Sequence, residues 1–345
     1  MRNVKVLIIG AGAGGLSARR EVSKVTEDYL VIDGGTLGTT CARVGCMPSK
    51  VLIQVAEDFH RKDKFLEQGI SGAEGLSVDT SQVMQHVRKL RDRFVRGVTG
   101  SMEGWQEEKL IRGYAKFIDD YTVIVNGEKI KAEKIIIATG TKPFIPEVFT
   151  GYEDFLITTD EFFEMESLPE AVAVIGLGVI GIELGQSISR LGVDFLGIAR
   201  RRNIAGVTDP KLNEYVTRKL EEDLNLSFDG IQSVEAEGSK LKITSGEKTI
   251  LADKVLVTTG RKHNLDKLDI SKTSAQLNDR GIPLFDKTTF MLSGTNHLFI
   301  AGDNTGEKQL LHEASEEGRI AGHNSVNAEK SFQTRTPLGL SLIHS

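Results

Sequence analysis

The glycine-rich stretch GAGAGG spans residues 10–15. It follows the apolar run VKVLII and precedes a segment with helical periodicity. The pattern G-x-G-x-x-G is weak alone, because glycine turns are common. Here the next apolar run, YLVI, ends at Asp33, 18 residues after Gly15. A strand, a glycine turn, a helix and a second strand ending in an acid form a βαβ unit that is typical of a dinucleotide site.

Each glycine of this pattern has a physical role. Gly10 makes the tight turn, Gly12 lets the backbone approach a pyrophosphate, and Gly15 permits close packing of helix on strand. The helix N-terminus then faces the phosphates. Asp33 is predicted to accept hydrogen bonds from a ribose. The alternative interpretation is a plain turn in an α/β sheet.

The same plan recurs later in the chain. The apolar run AVAVI is followed by GLGVIG, residues 176–181, which places glycines at 176, 178 and 181. The pattern continues with a helical segment and the strand VDFLGIA. We therefore predict an α/β fold with two Rossmann-like dinucleotide-binding domains, in which Gly176, Gly178 and Gly181 hold the second nucleotide.

The residues after the second βαβ unit bear on which nucleotide binds. A site for NAD usually has an acid at the end of this strand, where it accepts from the ribose 2′-hydroxyl. This chain has Ala199, followed by Arg200, Arg201 and Arg202. Guanidinium groups suit a 2′-phosphate. The sequence favours NADP and leaves NAD open, and a solvated basic loop is the alternative.

The two cysteines lie in GTTCARVGCMPSK, residues 38–50. Cys41 and Cys46 are the only cysteines of the chain, and they precede a helical segment. The positive end of a helix lowers the pKa of a thiol. A metal site is a poor interpretation, since the segment has two sulfurs and no histidine. Two unpaired core cysteines are the other alternative to a redox-active pair.

Composition excludes several classes of protein. The 345 residues carry a net charge of -5, which argues against a nucleic-acid partner. No apolar run of about 18 residues occurs, so no membrane span is predicted. The N-terminal run leads directly into the glycine turn and is interpreted as a buried strand, not a signal peptide. A single close cysteine pair favours a cytoplasmic location.

Two further local patterns give structural predictions. The segment TVIVNGEKI predicts a hairpin with an Asn126-Gly127 turn. Apolar residues at spacings of three and four predict a helix over about 81–108. Pro143 and Pro146 mark a crossover between domains.

Taken together, these motifs resemble the class I pyridine nucleotide–disulfide oxidoreductases. The cysteine segment resembles the active site of that family, with an ending, Ser49-Lys50, most similar to dihydrolipoamide dehydrogenase and mercuric reductase. The resemblance covers residues 1 to about 338 and includes ATG at 138–140, TGR at 259–261 and AGD at 301–303. Thr39 departs from the pattern, because a second glycine is usual there, and we expect it to be tolerated.

The resemblance implies FAD at the first glycine loop and NADP or NAD at the second. It implies that Cys46 lies against the flavin as the charge-transfer thiolate and that Cys41 exchanges with the substrate. Lys50 would lie near flavin N5 and pair with Glu183. The remaining cofactor-binding residues that it implies are Asp303 at the ribityl chain, Ala115 at the adenine, Leu311 at the isoalloxazine, and Thr139, Gly140 and Gly260.

The resemblance also divides the chain. It implies a discontinuous FAD-binding domain at 1–146 and 265–330, an NAD(P)-binding domain at 147–264, and the truncated start of a dimerisation domain at 331–345. In the family that last domain forms a homodimer and supplies a histidine base, a role that we do not assign to His344. The substrate implied is a small or protein-bound dithiol such as dihydrolipoamide. Another disulfide, Hg(II), or an inactive flavin-binding fragment stay open.

Overall fold

A computed structural model describes residues 1–332 and Leu338 of the protein. His344 and the segment from Gln333 to Pro337 lie outside the described residues. The strands are β1 (Arg2–Ile9), β2 (Tyr29–Asp33), β3 (Leu110–Arg112), β4 (Lys116–Phe117), β5 (Thr122–Val125), β6 (Glu128–Ile137), β7 (Thr141–Pro143), β8 (Leu156–Ile157), β9 (Ala171–Ile175), β10 (Asp194–Ile198), β11 (Leu226–Ser227), β12 (Ser233–Glu237), β13 (Lys240–Ser245), β14 (Lys248–Ala252), β15 (Lys254–Val257), β16 (Arg261–His263) and β17 (Leu298–Ile300). The helices are α1 (Ala13–Val22), α2 (Thr40–Val44), α3 (Cys46–His60), α4 (Thr80–Gly100), α5 (Gln106–Lys109), α6 (Thr159–Phe162), α7 (Val179–Arg190), α8 (Pro210–Asp223) and α9 (Leu311–Val326).

The chain forms two compact units. The first contains residues 1–40, 95–142 and the described residues from 262 onward, and the second contains 41–94 and 143–261. The sequence-based division placed residues 41–94 with the FAD-binding domain, whereas in the structure they group with the second unit.

The first unit is built on a mixed sheet around the long strand β6. Strands lie in the order β3-β2-β1-β6-β5-β4, and β17 also pairs with β6. β1 runs parallel to both β2 and β6, as a βαβ unit requires. Residues 6–9 of β1, 29–32 of β2 and 135–137 of β6, and all of β17, are buried and apolar, because both faces of such a sheet are covered. The expected α/β fold is therefore present in this unit.

The predicted hairpin is confirmed. β5 and β6 pair antiparallel, and they are joined by Asn126 and Gly127 at φ 49° and 82°. Positive φ at both central residues is the geometry that an Asn-Gly turn favours. Beyond this hairpin, the C-terminal half of β6 pairs with β17.

The second unit repeats the plan. Its parallel sheet has the order β11-β10-β9-β15-β8. Strands β12, β13 and β14, which lie between β11 and β15 in the sequence, form a separate antiparallel sheet. α7 follows β9 directly, so the glycines at 176–181 form the turn between strand and helix. The predicted duplication of the nucleotide-binding plan is therefore present.

Residues 41–94 join the second unit through contacts that local periodicity does not reveal. Leu52 and Ala56 of α3 belong to the apolar core that contains Ile182 and Ile188 of α7. Arg91 of α4 is largely buried and donates to the carbonyl oxygen of Phe163 at 3.1 Å. These contacts tie α3 and residues 80–94 of α4 to the second unit.

The long helix ends earlier than predicted. α4 stops at Gly100, a turn follows, and the separate short helix α5 spans Gln106–Lys109. Gly97, Gly100 and Gly104 lie across the break. Glycine weakens a helix because it loses the most backbone freedom on folding, and three of them outweigh the apolar periodicity. Within residues 1–332, no helix combines the length and apolar character that a membrane span needs.

Candidate dinucleotide and dithiol sites

Two positions of the first glycine loop have no room for a side chain, and a third faces open space. A Cβ at Gly10, which has φ 114°, would lie 2.1 Å from the carbonyl oxygen of Ala138. A Cβ at Gly15 would lie 1.8 Å from the carbonyl oxygen of Gly10. Nothing lies within 4 Å of a Cβ at Gly12. The loop therefore exposes its backbone at Gly12 in front of the N-terminus of α1, which fits a pyrophosphate.

Asp33 is held beside this loop by backbone donors. The amide of Ala11 donates to Oδ2 at 2.6 Å, and the amide of Gly35 donates to Oδ1 at 2.7 Å. Nη1 of Arg112 lies 3.6 Å from Oδ1. A carboxylate has about four acceptor sites, so the fixed Asp33 keeps capacity for ribose hydroxyls.

The other FAD-binding predictions fall on loops of the same unit. Gly140 has φ 65°, and its carbonyl accepts from the amide of Asn264 at 3.0 Å. Oγ1 of Thr139 lies 3.4 Å from Nδ2 of Asn304. Asp303 begins the turn after β17, with Oγ1 of Thr141 at 3.5 Å from its Oδ2. Their contacts to a cofactor stay predictions.

Two more predicted residues lie at element ends. Leu311 is the first residue of α9, where helix amides have no partner within the helix. Ala115 is buried between β3 and β4. The preceding residue, Tyr114, was not predicted: its ring covers Gly34, where a Cβ would lie 2.7 Å from Cδ2 of the ring. A largely exposed ring beside Asp33 and Gly34 can stack on a base.

The second glycine loop has the same stereochemistry as the first. A Cβ at Gly176, which has φ 98°, would lie 2.7 Å from the carbonyl oxygen of Thr258, and one at Gly181 would lie 1.9 Å from that of Gly176. Gly178 again faces open space. Gly260, two residues beyond Thr258, has φ 116°. The loop therefore presents bare backbone at the start of α7 for a second dinucleotide.

The three arginines after β10 are exposed but differ in their contacts. Arg202 pairs with Glu221 and lies 5.1 Å from the ring centroid of Phe228. The stem of Arg200 lies against Gly230. Within the described residues, the structure gives no ion pair to Arg200 or Arg201. Two guanidinium groups are thus available to an anion beside the second loop.

The cysteine pair consists of two free thiols on the successive helices α2 and α3. Cys41 lies in α2, and Cys46 is the first residue of α3. The hydrogen bond from Cys41 lowers the pKa of Cys46 to about 6, with a further contribution from the Lys50 ammonium and against the opposing effect of burial. The same hydrogen bond and burial raise the pKa of Cys41. One sulfur is poised as a thiolate and the other as its proton donor.

The predicted ion pair between Lys50 and Glu183 is present. Nζ of Lys50 lies 2.6 Å from Oε2 of Glu183, whose side chain is 6% exposed. A parallel pair joins the same helices, with Nη1 of Arg190 at 2.7 Å from Oε2 of Glu57. The four charges fix α3 on α7 and hold a cation near Cys46.

The His312 side chain contacts Glu313 and Leu338. Its Nε2 lies 3.2 Å from Oε1 of Glu313 and 2.7 Å from the carbonyl oxygen of Leu338. No group of three or more metal-ligating side chains is formed among residues 1–332 and Leu338.

Two glycine loops of the dinucleotide-binding type and a close pair of thiols are typical of pyridine-nucleotide-dependent redox proteins. A family model described as pyridine nucleotide-disulphide oxidoreductase matches residues 4–318. The chain belongs to this family, and the recognition made from the motifs is confirmed. Members of the family use FAD and NAD(P)H, as the sequence predicted.

Individual relatives agree with this assignment. The chain is 32% identical over 336 residues to a mercuric reductase of Staphylococcus aureus, covering 94% of this chain and 60% of the relative. It is 29% identical over 326 residues to dihydrolipoyl dehydrogenase of Bacillus subtilis, covering 91% and 68%. The chain thus spans well under two thirds of the mercuric reductase. Among solved structures, the Cu(II) complex of the HOCl-induced flavoprotein disulfide reductase RclA from Escherichia coli shares the fold, with a TM-score of 0.80, 18% identity and coverage of 96% and 73%.

Proposed function

We propose that this chain acts in a flavoprotein disulfide reductase, with FAD at the first glycine loop, NAD(P)H at the second and Cys41 and Cys46 as the redox pair. The observation that carries the proposal is the placement of Cys46 at the start of α3, on the same helix as Lys50, whose Nζ lies 2.6 Å from Oε2 of the buried Glu183. When bound, the flavin accepts a hydride from the nicotinamide and passes two electrons to a disulfide.

The dithiol supplies the second half of the chemistry. Cys41 passes its proton to the Cys46 thiolate as it attacks one sulfur of a substrate disulfide, and the first substrate thiolate leaves and takes up this proton. Cys46, already a thiolate near neutral pH, then attacks Sγ of Cys41. This step closes the Cys41–Cys46 disulfide and releases the second substrate thiolate, which takes a proton from solvent. Two thiols of the protein are oxidised and one substrate disulfide is reduced, and run backward the same steps oxidise a dithiol.

Lys50 and Glu183 support the thiolate. The Lys50 ammonium lowers the pKa of Cys46, and Glu183 acts in the opposite direction. Glu183 is buried and Lys50 is partly exposed, so the pair fixes the ammonium at one place on α3. Lys50 and Glu183 are therefore proposed to hold the charge around the redox pair.

The substrate class that we propose is a dithiol such as dihydrolipoamide, free or carried on a protein. The proposal rests on the Ser49-Lys50 ending of the cysteine segment and on the similarity to dihydrolipoyl dehydrogenase. A second copy of the chain is the proposed partner, as in the family. A reducing cytoplasm, which keeps such thiols available, is the proposed location.

Counting thiols tests the proposal. The protein is loaded with FAD, oxidised in air, and treated without oxygen with one equivalent of NADPH or NADH before alkylation and mass spectrometry. We expect two newly alkylated cysteines, Cys41 and Cys46, for each nucleotide consumed. A Cys46→Ser variant, which keeps size and polarity, should consume no nucleotide for thiol formation. Nucleotide oxidation without new thiols in the unaltered protein would contradict the proposal.

Reduction of a thiophilic metal ion is the second candidate. The observation that favours it is the 32% identity to a mercuric reductase together with a soft thiolate pair in reduced form. NADPH oxidation that depends on Hg(II) and yields volatile mercury would support it. Under the same conditions, lipoamide reduction would favour the disulfide substrate.

A further inference from the structure

One buried carboxyl group holds the turn that carries Asp303. Oε2 of Glu317, on α9, accepts from the amide of Gly302 at 2.8 Å and lies 3.3 Å from Oγ1 of Thr305. Glu317 is 4% exposed. Gly302 and Thr305 flank Asp303, so a single side chain clamps both ends of this turn.

The position of Glu317 relative to the first glycine loop is fixed by backbone contact. A Cβ at Gly318 would lie 2.0 Å from the carbonyl oxygen of Gly14, and one at Gly322 would lie 2.5 Å from that of Ala18. α9 therefore packs backbone to backbone against α1, whose N-terminal amides would face the phosphates of bound FAD. Glu317 has no freedom to move away from the loop.

The charged groups around Glu317 are negative. Asp303, on the clamped turn, and Glu313, one turn earlier on α9, both raise its pKa. α1 presents Gly14 and Ala18 to α9, and the neighbouring parts of β6 and β17 are apolar. Burial, the largest cause, raises the pKa of Glu317 to about 8, against the hydrogen bonds from Gly302 and Thr305. Burial thus disfavours the charged form of Glu317.

We propose that Glu317 is a positioning residue for FAD: through Gly302 and Thr305, its carboxyl group holds the turn that carries Asp303. The inference rests on the proposed binding of FAD at the first glycine loop. An ionised Glu317 would bring another negative charge next to Asp303 and Glu313 and oppose the diphosphate of FAD. Binding of FAD is therefore coupled to retention of the proton on Glu317.

The test follows FAD binding by flavin fluorescence from pH 6 to 9.5 in three proteins. In the unaltered protein the Kd should rise above pH 8, by up to about tenfold per pH unit. Glu317→Gln keeps an accepting oxygen for Gly302 and cannot ionise, so its Kd should stay flat across this range. Glu316→Gln is the matched control, since Glu316 pairs with Arg319 on the other side of α9, and it should behave like the unaltered protein.

Calorimetry on the unaltered protein gives an answer that does not depend on any variant folding. FAD binding is measured near pH 8 in buffers of different ionisation enthalpy, and we expect proton uptake. No uptake, or an equal rise of Kd in Glu317→Gln, would overturn the inference while leaving the proposed function intact. An unaltered protein that binds no FAD at any pH would overturn the proposed function itself.

Discussion

Nζ of Lys50 and Oε2 of Glu183 lie 2.6 Å apart although 133 positions separate them in the chain. The pair joins α3, which begins with Cys46, to α7, which begins at the second glycine loop. The redox cysteines are thereby linked through one ion pair to the helix that follows the nucleotide loop.

The first prediction concerns the charge at Cys46. Lys50→Met removes a cation that lowers the pKa of Cys46, so this pKa should rise above about 6. Glu183→Gln removes an anion that raises it, so the pKa should fall. The pH dependence of alkylation at Cys46, located by mass spectrometry, measures both shifts. Lys64→Met, an exposed lysine beyond the end of α3, is the control and should cause no shift. Shifts of the same sign in both variants would refute this electrostatic account.

Thr39 gives a prediction about backbone strain. It has φ 63°, in the left-handed region that non-glycine residues rarely adopt. The departure from the family pattern noted in the sequence therefore falls on a residue whose conformation favours glycine. Thr39→Gly should increase the free energy of unfolding by about 1 kcal/mol, measured by urea denaturation. The neighbouring Thr40→Gly, at the start of α2, should decrease it by about 0.5–1 kcal/mol. A loss of stability in Thr39→Gly would show that side-chain contacts of Thr39 outweigh the strain.

Substitutions at two glycines of the first loop should affect FAD binding and protein stability differently. Gly12→Ala places a methyl group where nothing lies within 4 Å, so the unfolding free energy should stay within about 1 kcal/mol while FAD affinity drops. Gly15→Ala places a Cβ 1.8 Å from a carbonyl oxygen, so the protein itself should be destabilised by more than about 2 kcal/mol. Denaturation of the FAD-free protein and FAD titration, run on both variants, distinguish the two effects. Equal losses of affinity and stability in Gly12→Ala would contradict the assignment of Gly12 to ligand contact.

Sequence patterns were sufficient to predict both glycine loops, because the steric demand for glycine is local and repeats at a fixed spacing. They were also sufficient for the Lys50–Glu183 pair once the family resemblance was recognised. They did not predict that residues 41–94 pack with the second unit, because that packing depends on contacts between segments more than 70 residues apart. Glu317 was missed for a different reason. In the sequence it is one of two adjacent glutamates, and only the orientation of α9 separates the buried Glu317 from Glu316.

Glu317 also predicts how stability depends on pH. Its pKa is raised by burial from 4.5 to about 8, so between these values the folded protein holds a proton that the unfolded chain has lost. The unfolding free energy should therefore fall by up to about 1.4 kcal/mol per pH unit as the pH rises through this window, and level off above about 8. Glu317→Gln should remove this slope, and Glu316→Gln should keep it. Urea denaturation of the FAD-free proteins at a series of pH values provides the measurement, and an unchanged slope in Glu317→Gln would assign the effect to another group.

The last prediction concerns the choice of nucleotide. The strand before the arginines, β10, ends at Ile198, and Ala199 follows where an NAD site usually has an acid, so no carboxylate at that position repels a 2′-phosphate. Arg200 and Arg201 are exposed beside the second glycine loop, whereas Arg202 is engaged with Glu221 and Phe228. Hydrogen bonds to a charged group contribute about 1.5–3 kcal/mol each, so Arg200→Ala and Arg201→Ala should each weaken NADPH binding by about 10- to 100-fold. NADH binding should change little, because NADH lacks the 2′-phosphate. Arg202→Ala is the internal control and should affect the two nucleotides equally. Stopped-flow reduction of the FAD-loaded protein measures the Kd of each nucleotide. Equal affinity of the unaltered protein for NADPH and NADH would show that the arginines do not select between the two nucleotides.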